Sequence, residues 1–313
     1  MSDMATDRSR REAWLMAARP HTLPAAAAPV VVGTGLAFAV GKFAPLPALA
    51  AFVGAALIQI GTNFANDYYD AVKGVDTDER EGFTRVTQSG LIAPQSVKRA
   101  MYATFALAVL VGTYLVYVGG LPILIIGLAS VASGIAYAGG PYPLGSHGLG
   151  DLFVFVFFGV IAVMGTFYVQ AASLLAGPFP MGIPEGTVTL AAFAASLPVA
   201  AISTDILVVN NVRDLETDRE AGKRTLAVIV GYRASRAEFV ALLALAYAVP
   251  FWFWLARDHS AAVLLPLVTV PYAADVTWTV LTDTSGEALN PALARTSKLL
   301  AAFSALFALG LIV

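Results

Sequence analysis

A helix of about twenty apolar residues spans the hydrocarbon of a bilayer, and this chain carries one such run after another almost from end to end. The runs lie at 21–40, 46–69, 97–118, 121–138, 151–172, 188–211, 234–256, 260–281 and 296–313. They predict an all-α integral membrane protein, a bundle of about nine transmembrane helices forming a single domain over 1–313. Composition agrees: 58% of the residues are hydrophobic and 13% charged, where a soluble domain carries about 25% charged residues. The run after Arg19 reaches Val40, longer than the short core of a secretory signal. It reads as a retained first helix behind a polar tail, 1–19.

Some chemistries are excluded at once. There is no cysteine, so disulfides, thiolate catalysis and Cys-based metal sites are ruled out. His21, His147 and His259 are scattered, which leaves no His-rich metal site. A net charge of −2 gives no case for nucleic acid as a partner.

Lys and Arg fix an orientation, because cytoplasmic loops collect them. Of the 19, all but Lys42 and Arg257 fall in four segments. These are the tail, the connection after the second span (Lys73, Arg80, Arg85, Lys98, Arg99), the connection after the sixth (Arg213, Arg219, Lys223, Arg224, Arg233, Arg236), and the connection after the eighth (Arg295, Lys298). With nine spans all four lie on one side. The expectation is a multi-pass protein of the cell membrane with its N-terminus in the cytoplasm and both long polar loops, 70–96 and 212–233, on the cytoplasmic side.

Both loops open on acidic helix ends. The first reads Asn63-Phe-Ala-Asn66-Asp67-Tyr-Tyr-Asp70, then Lys73, Asp76 and Asp78. The second reads Asn210-Asn211-Val-Arg213-Asp214-Leu-Glu-Thr-Asp218. Asn63, Asp67 and Asp70 share one helical face, and so do Asn210, Asp214 and Asp218. Asn63-x3-Asp67 returns as Asn210-x3-Asp214, a weak internal repeat of helix-plus-loop units. Rows of carboxylates at a membrane edge repel unless a cation sits between them, and hard oxygen ligands suit Mg²⁺, which takes one or two carboxylates plus substrate phosphates. Two such rows facing one another would hold ions and one diphosphate. Lys73, Arg85, Lys223 and Arg224 follow the rows and are placed to bind outer phosphate oxygens. Two solvated polar loops are the plainer alternative, and the matched spacing at matched helix ends argues against it.

Four segments resemble the UbiA superfamily of intramembrane prenyltransferases, over nearly the whole chain. They are Ala18-Arg19-Pro20-His21-Thr22-Leu23-Pro24, Asn63 through Asp76, Tyr137-Ala-Gly-Gly-Pro-Tyr142-Pro-Leu-Gly145, and Asn210 through Thr225. The last two look like the branch that prenylates 1,4-dihydroxy-2-naphthoate in menaquinone synthesis. His21 stands where that branch more often has Lys. The resemblance implies a nine-helix bundle with Asp-rich motifs at the cytoplasmic ends of helices two and six, around a cavity open to the cytoplasmic side. It implies a reaction in which a polyprenyl diphosphate binds through Mg²⁺, with Mn²⁺ the alternative ion. Diphosphate leaves, and the ring attacks the allylic cation with loss of CO₂, giving demethylmenaquinone.

Asp67, Asp70, Asp214 and Asp218 are the candidate metal ligands and catalytic carboxylates. Asp76 is either a further ligand or a turn residue. Asn63, Asn66, Asn210 and Asn211 either hydrogen-bond diphosphate or cap helix ends. Tyr137 and Tyr142 either stabilise the cation with their ring faces or belong to an interfacial aromatic belt. Arg19 and His21 lie where the first helix would meet an acceptor pocket, and an interface anchor is the alternative. Arg213 is a candidate partner for a first-row carboxylate. Asp205 falls out of phase with the second row and reads as structural, and Asp275 has no partner visible in the sequence. Two rival functions stand beside the main one: prenylation of another acceptor (4-hydroxybenzoate, homogentisate or a glyceryl phosphate lipid), and cation transport through the Asp rows. A transporter would set its ionisable groups near the bilayer midplane.

Overall fold

Backbone groups in hydrocarbon must find their hydrogen bonds within the chain, and here helices supply them. The computed structural model describes residues 10–73, 86–87, 90–138, 144–257 and 259–313, and among them there is no strand. The helices are α1 (Arg10–Ala18), α2 (Leu23–Ala39), α3 (Pro45–Lys73), α4 (Pro94–Ala138), α5 (Gly150–Phe153), α6 (Ala162–Leu175), α7 (Leu190–Arg213), α8 (Leu215–Glu220), α9 (Leu226–Ala256), α10 (Val270–Thr282) and α11 (Gly286–Ile312). A π-helical stretch, Val154–Ile161, joins α5 and α6 into one rod, and a 3₁₀ stretch, Ala261–Thr269, leads into α10.

Among the described residues seven helices are long and apolar enough to cross a membrane, and eight if α1 and α2, bent by 56°, count as one span. The two runs 97–118 and 121–138 are merged in α4. Its backbone breaks at Gly120, with φ 69° and ψ −155°. The neighbouring groups explain the break: Phe179 N–H bonds Tyr117 O at 2.7 Å and Leu121 N–H bonds Pro180 O at 3.0 Å. A Cβ on Gly120 would lie 1.9 Å from the Pro180 carbonyl oxygen.

Several boundaries differ from the sequence expectation. Residues 10–18 of the supposed tail form α1, whose Ala13 and Ala17 are buried against α3 residues such as Phe64. Residues 70–73 of the expected polar loop are helical, because α3 continues through Asp70 to Lys73, and most of the rest of that loop lies outside the described residues. The loop expected at 212–233 is mostly helix. It holds α8, and α9 starts at Leu226, with Ala227 buried in its first turn. The last helix starts at Gly286 rather than 296, capped by the Ser285 hydroxyl, which accepts from Ala288 N–H.

The connections sort into two sets that touch within each set. At one end Lys42 Nζ reaches Gly186 O at 2.6 Å, and the turn at Gly120 meets Phe179 and Pro180. At the other end Arg224 N–H bonds Ser146 O, Arg236 bonds the carbonyls of Val280 and Asp283, and Arg213 bonds Asn290. Both acidic rows belong to this second end. At the centre lies α7, packed by α2, α6, α9, α11 and the π-helical stretch. Phe239, Phe253, Phe303 and Phe307 fill the space between α7, α9 and α11.

Asp205 on α7 is fully buried, and neither carboxylate oxygen has a hydrogen-bond partner among the described residues. The charged neighbour that bears on it is Glu238 of α9. Asp275, by contrast, has a partner that the sequence did not reveal. It forms an ion pair with Arg295 of α11, whose guanidinium lies 5.4 Å from the Tyr272 ring centre.

Gly120→Ala forces a side chain into a left-handed residue and against a carbonyl. Strain of this kind costs on the order of 1–3 kcal/mol, and several degrees of apparent melting temperature in detergent are the expected loss. An unchanged melting curve would contradict the packing of this turn.

Candidate active site at two acidic helix ends

The first row is anchored through Asn63. This residue is 3% exposed, and its amide nitrogen donates to Ala18 O and to the Thr22 hydroxyl, both at 2.9 Å. One turn earlier, Gln59 donates to the same hydroxyl at 3.2 Å. The Thr22 hydroxyl itself donates to Arg19 O at 2.9 Å. One hydroxyl therefore uses both acceptor positions and its donor to bind the turn between α1 and α2 onto α3. Helix capping is not the role of Asn63 or Asn66, since α3 runs on to Lys73.

Arg19 has φ 50°, an uncommon left-handed conformation for a non-glycine residue. From there its Nη2 lies 3.6 Å from Asp67 Oδ1. Asp67 is 1% exposed, and its carbonyl oxygen accepts from the Thr87 hydroxyl at 2.9 Å. Asn66, one position before it, is exposed. Asp70 and Lys73 occupy the last turn of α3. Their side chains, those of His21 and Tyr137, and the whole of Asp76, Arg85 and Tyr142 lie outside the described residues.

The second row spans the joint between α7 and α8. Asp214 N–H bonds Asn210 O at 3.0 Å and Asp218 N–H bonds Asp214 O at 2.8 Å, so helical bonding carries through the joint. Arg213 grips Asp214 with two parallel bonds, Nε to Oδ1 and Nη2 to Oδ2, each 2.7 Å. The same guanidinium donates to Asn210 Oδ1 at 2.8 Å and to Asn290 Oδ1 of α11 at 2.7 Å. Among the described residues Arg213 thus pairs within its own row and not with Asp67 of the first. The adjacent Asp214 offers bidentate geometry, and Asn290 holds the far side of the fork. Asn211 is buried.

At the end of α8, Gly222 turns with φ 72°, the left-handed residue that closes many helices. The turn brings Lys223 back, its N–H on Asp218 O and its Nζ 2.7 Å from Asp218 Oδ1. Arg224 N–H bonds Ser146 O at 2.9 Å, which joins this loop to the 3₁₀ turn Leu144–Ser146. The Arg224 side chain is exposed and makes no ion pair among the described residues.

Each carboxylate described here therefore lies against a cation: Asp67 with Arg19, Asp214 with Arg213, Asp218 with Lys223. Among the described residues no three His, Cys, Asp or Glu side chains converge. The donors are oxygens throughout, with neither sulfur nor imidazole, a set that suits a hard divalent cation. Thr22, Gln59 and Asn290 were not singled out by sequence. Their polar side chains in apolar helices were the available signal.

A polytopic helical membrane protein with two acidic rows at one end is the class that fold and site define. The UbiA prenyltransferase family model matches residues 26–307, and the chain belongs to that family. The 1,4-dihydroxy-2-naphthoate octaprenyltransferase of Escherichia coli (strain K12) is 40% identical over 97% of this chain and 96% of its own length. The enzyme of that name from Mycobacterium tuberculosis is 37% identical, covering 90% of this chain and 91% of its own. In fold the chain is similar to a UbiA homolog from Aeropyrum pernix K1, with TM-score 0.64, 16% identity and coverage of 88% and 96%. A UbiA homolog from Archaeoglobus fulgidus bound to GPP and Mg²⁺ gives TM-score 0.59 at 17% identity, covering 94% and 99%.

Thr22→Val keeps the shape of the side chain and leaves one N–H of Asn63 and the Gln59 amide without the Thr22 acceptor, Asn63 keeping only Ala18 O. Each such loss costs about 1–3 kcal/mol. Expected are a lower melting temperature in detergent and faster tryptic cleavage at Arg10 and Arg11 of α1. Unchanged cleavage and melting would contradict the clamp.

Proposed function

We propose that this protein transfers a polyprenyl group from polyprenyl diphosphate to 1,4-dihydroxy-2-naphthoate at the cytoplasmic face of the cell membrane. The observation that carries the proposal is the pair of acidic rows at one end of the bundle, with Asp67, Asp214 and Asp218 each held against a basic side chain. The names of the relatives at 40% and 37% identity support the choice of acceptor. The Lys and Arg distribution supports a cytoplasmic N-terminus, and the break at Gly120 supports nine passes in one domain.

The oxygen-only donor set fits Mg²⁺. Asp67, Asp70, Asp214 and Asp218 would hold it, with Asp76 as a further ligand and Mn²⁺ as the alternative ion. When bound, the ion neutralises diphosphate and makes it a better leaving group.

The chain's own groups do the rest. Lys223 and Arg19 neutralise Asp218 and Asp67 until substrate arrives, then turn to phosphate oxygens. Lys73, Arg85 and Arg224 add further cations at the same edge, and Asn66, Asn210 and Asn211 orient the acidic groups. Arg213, clamped by Asn290, holds Asp214 in place. The allylic C–O bond breaks and its electron pair leaves with diphosphate. The ring carbon bearing the carboxylate forms the new C–C bond. The C–CO₂ bond then breaks, and its electrons restore the ring, so no base is required. The product is the quinol form of demethylmenaquinone. The apolar bundle keeps water from the cation, and Tyr137 and Tyr142 offer it ring faces. Against cation transport, the acidic rows stand at helix ends and not near a midplane.

The test is mass spectrometry of products formed by purified protein with Mg²⁺, a polyprenyl diphosphate and a mixture of aromatic acceptors. A prenylated, decarboxylated naphthoquinone is expected. Prenylation of another acceptor alone would overturn the acceptor, and no product from folded protein would overturn the activity. Asp67→Ala and Asp214→Ala are each expected to lower turnover by at least about 10²-fold, the order seen when a charge-stabilising group is removed. Chelation of divalent cations is expected to stop turnover, and full activity in chelator would contradict the metal assignment.

A further inference from the structure

The outer surface of α9 carries a feature that the transferase chemistry does not use. Phe239, Leu243 and Ala246 turn inward and are buried. The opposite side carries Ala237, Ala241 and Ala244, at helical spacing on one exposed face. While α9 packs closely on α7, it meets α10 only lightly. A cleft of about 590 Å³ opens along this face, walled by Val240 and by Leu281 of α10. Ligand clefts commonly fall within about 300–1,000 Å³. From Ala237 to Ala244 the groove runs about 10 Å at 1.5 Å per residue. Being exposed on a membrane-spanning helix, it faces lipid.

Two arginines close one end. Arg236 is fixed by donating Nε to Val280 O at 2.9 Å and Nη2 to Asp283 O at 2.8 Å, with its guanidinium 5.6 Å from the Tyr232 ring centre. No hydrogen bond reaches its Nη1 among the described residues, and Arg233 is exposed and makes no hydrogen bond or ion pair there. The carboxylate beyond Tyr232, Glu216, is already paired with Arg219. The head of the groove is therefore positive while its body is apolar.

We propose that this groove binds an anionic phospholipid of the leaflet that borders the acidic rows, with an acyl chain along Ala237, Ala241 and Ala244 and the phosphate between Arg233 and Arg236. The complementarity is twofold. A lipid-facing trough takes a tail, and two guanidiniums, one rigid and one unpartnered, take a headgroup that has no cation of its own. Basic pockets between membrane helices bind anionic headgroups by this logic, with about 1 kcal/mol, or roughly fivefold, per Lys or Arg near the surface. Zwitterionic lipid is disfavoured because its ammonium would meet the same arginines.

Full-length protein is reconstituted in nanodiscs of equimolar phosphatidylglycerol and phosphatidylcholine, released into neutral detergent, and its retained lipid counted by native mass spectrometry. The expected result is phosphatidylglycerol over phosphatidylcholine by at least roughly fivefold. Arg233→Gln should cut the preference by about fivefold, Arg233→Lys should keep most of it, and Ala241→Phe, which fills the trough, should abolish retention. All three substitutions lie on an exposed face, and melting curves in the same detergent verify folding. Equal retention of both lipids, a preference untouched by Arg233→Gln and Ala241→Phe, retention of a polyprenyl lipid instead, or a dimer that Ala241→Phe dissociates would each overturn the proposal.

Discussion

Negative charge at the edge of a bilayer has to be balanced, and the site is organised around that constraint. Asp67 is almost wholly buried and Asp218 nearly so. A carboxylate taken out of water without a partner costs several kcal/mol. The chain answers with one basic group for each of Asp67, Asp214 and Asp218, drawn from a different part of the backbone each time. Arg19 comes from the turn before α2, Arg213 from the end of α7, and Lys223 from the turn after α8. These partners are local and paired one to one.

The bundle serves this arrangement by holding its ends in register. Helix α2 packs on both α3 and α7, so the two rows share a neighbour. The clamp on Thr22 fixes the turn that delivers Arg19, and the Arg213–Asn290 bond ties the second row to α11. At the opposite end, Lys42 on Gly186 O and the Gly120 turn on Pro180 O do the same for the far connections. Most of the interior is apolar, so these few polar bonds at the ends carry the specificity of the fold.

The helical class, the positions of most spans and both acidic rows were legible in the sequence, because they rest on run length and on helical spacing, which are local. What escaped depends on tertiary contact. The polar residues after Asp214 read as loop, yet Leu215 is fully buried and α8 forms around it. The bond from Arg213 to Asn290 escaped because the sequence carries no distance between Asn290 and α7. Asp275 appeared unpartnered for the same reason, its arginine lying on the next helix. Thr22 passed unnoticed because a single hydroxyl in an apolar run has no pattern, and only the approach of α3 makes it the centre of three hydrogen bonds.

The central claim is that the two rows act together on one diphosphate and its metal ions, and Mn²⁺ binding followed by electron paramagnetic resonance tests it most directly. Purified protein would be titrated with Mn²⁺ with and without inorganic diphosphate, alongside Asp67→Asn and Asp214→Asn. The expected result is Mn²⁺ uptake that strengthens with diphosphate and is lost in either variant, because neither row suffices alone. Uptake indifferent to diphosphate, or unchanged when one row is neutralised, would contradict a shared site.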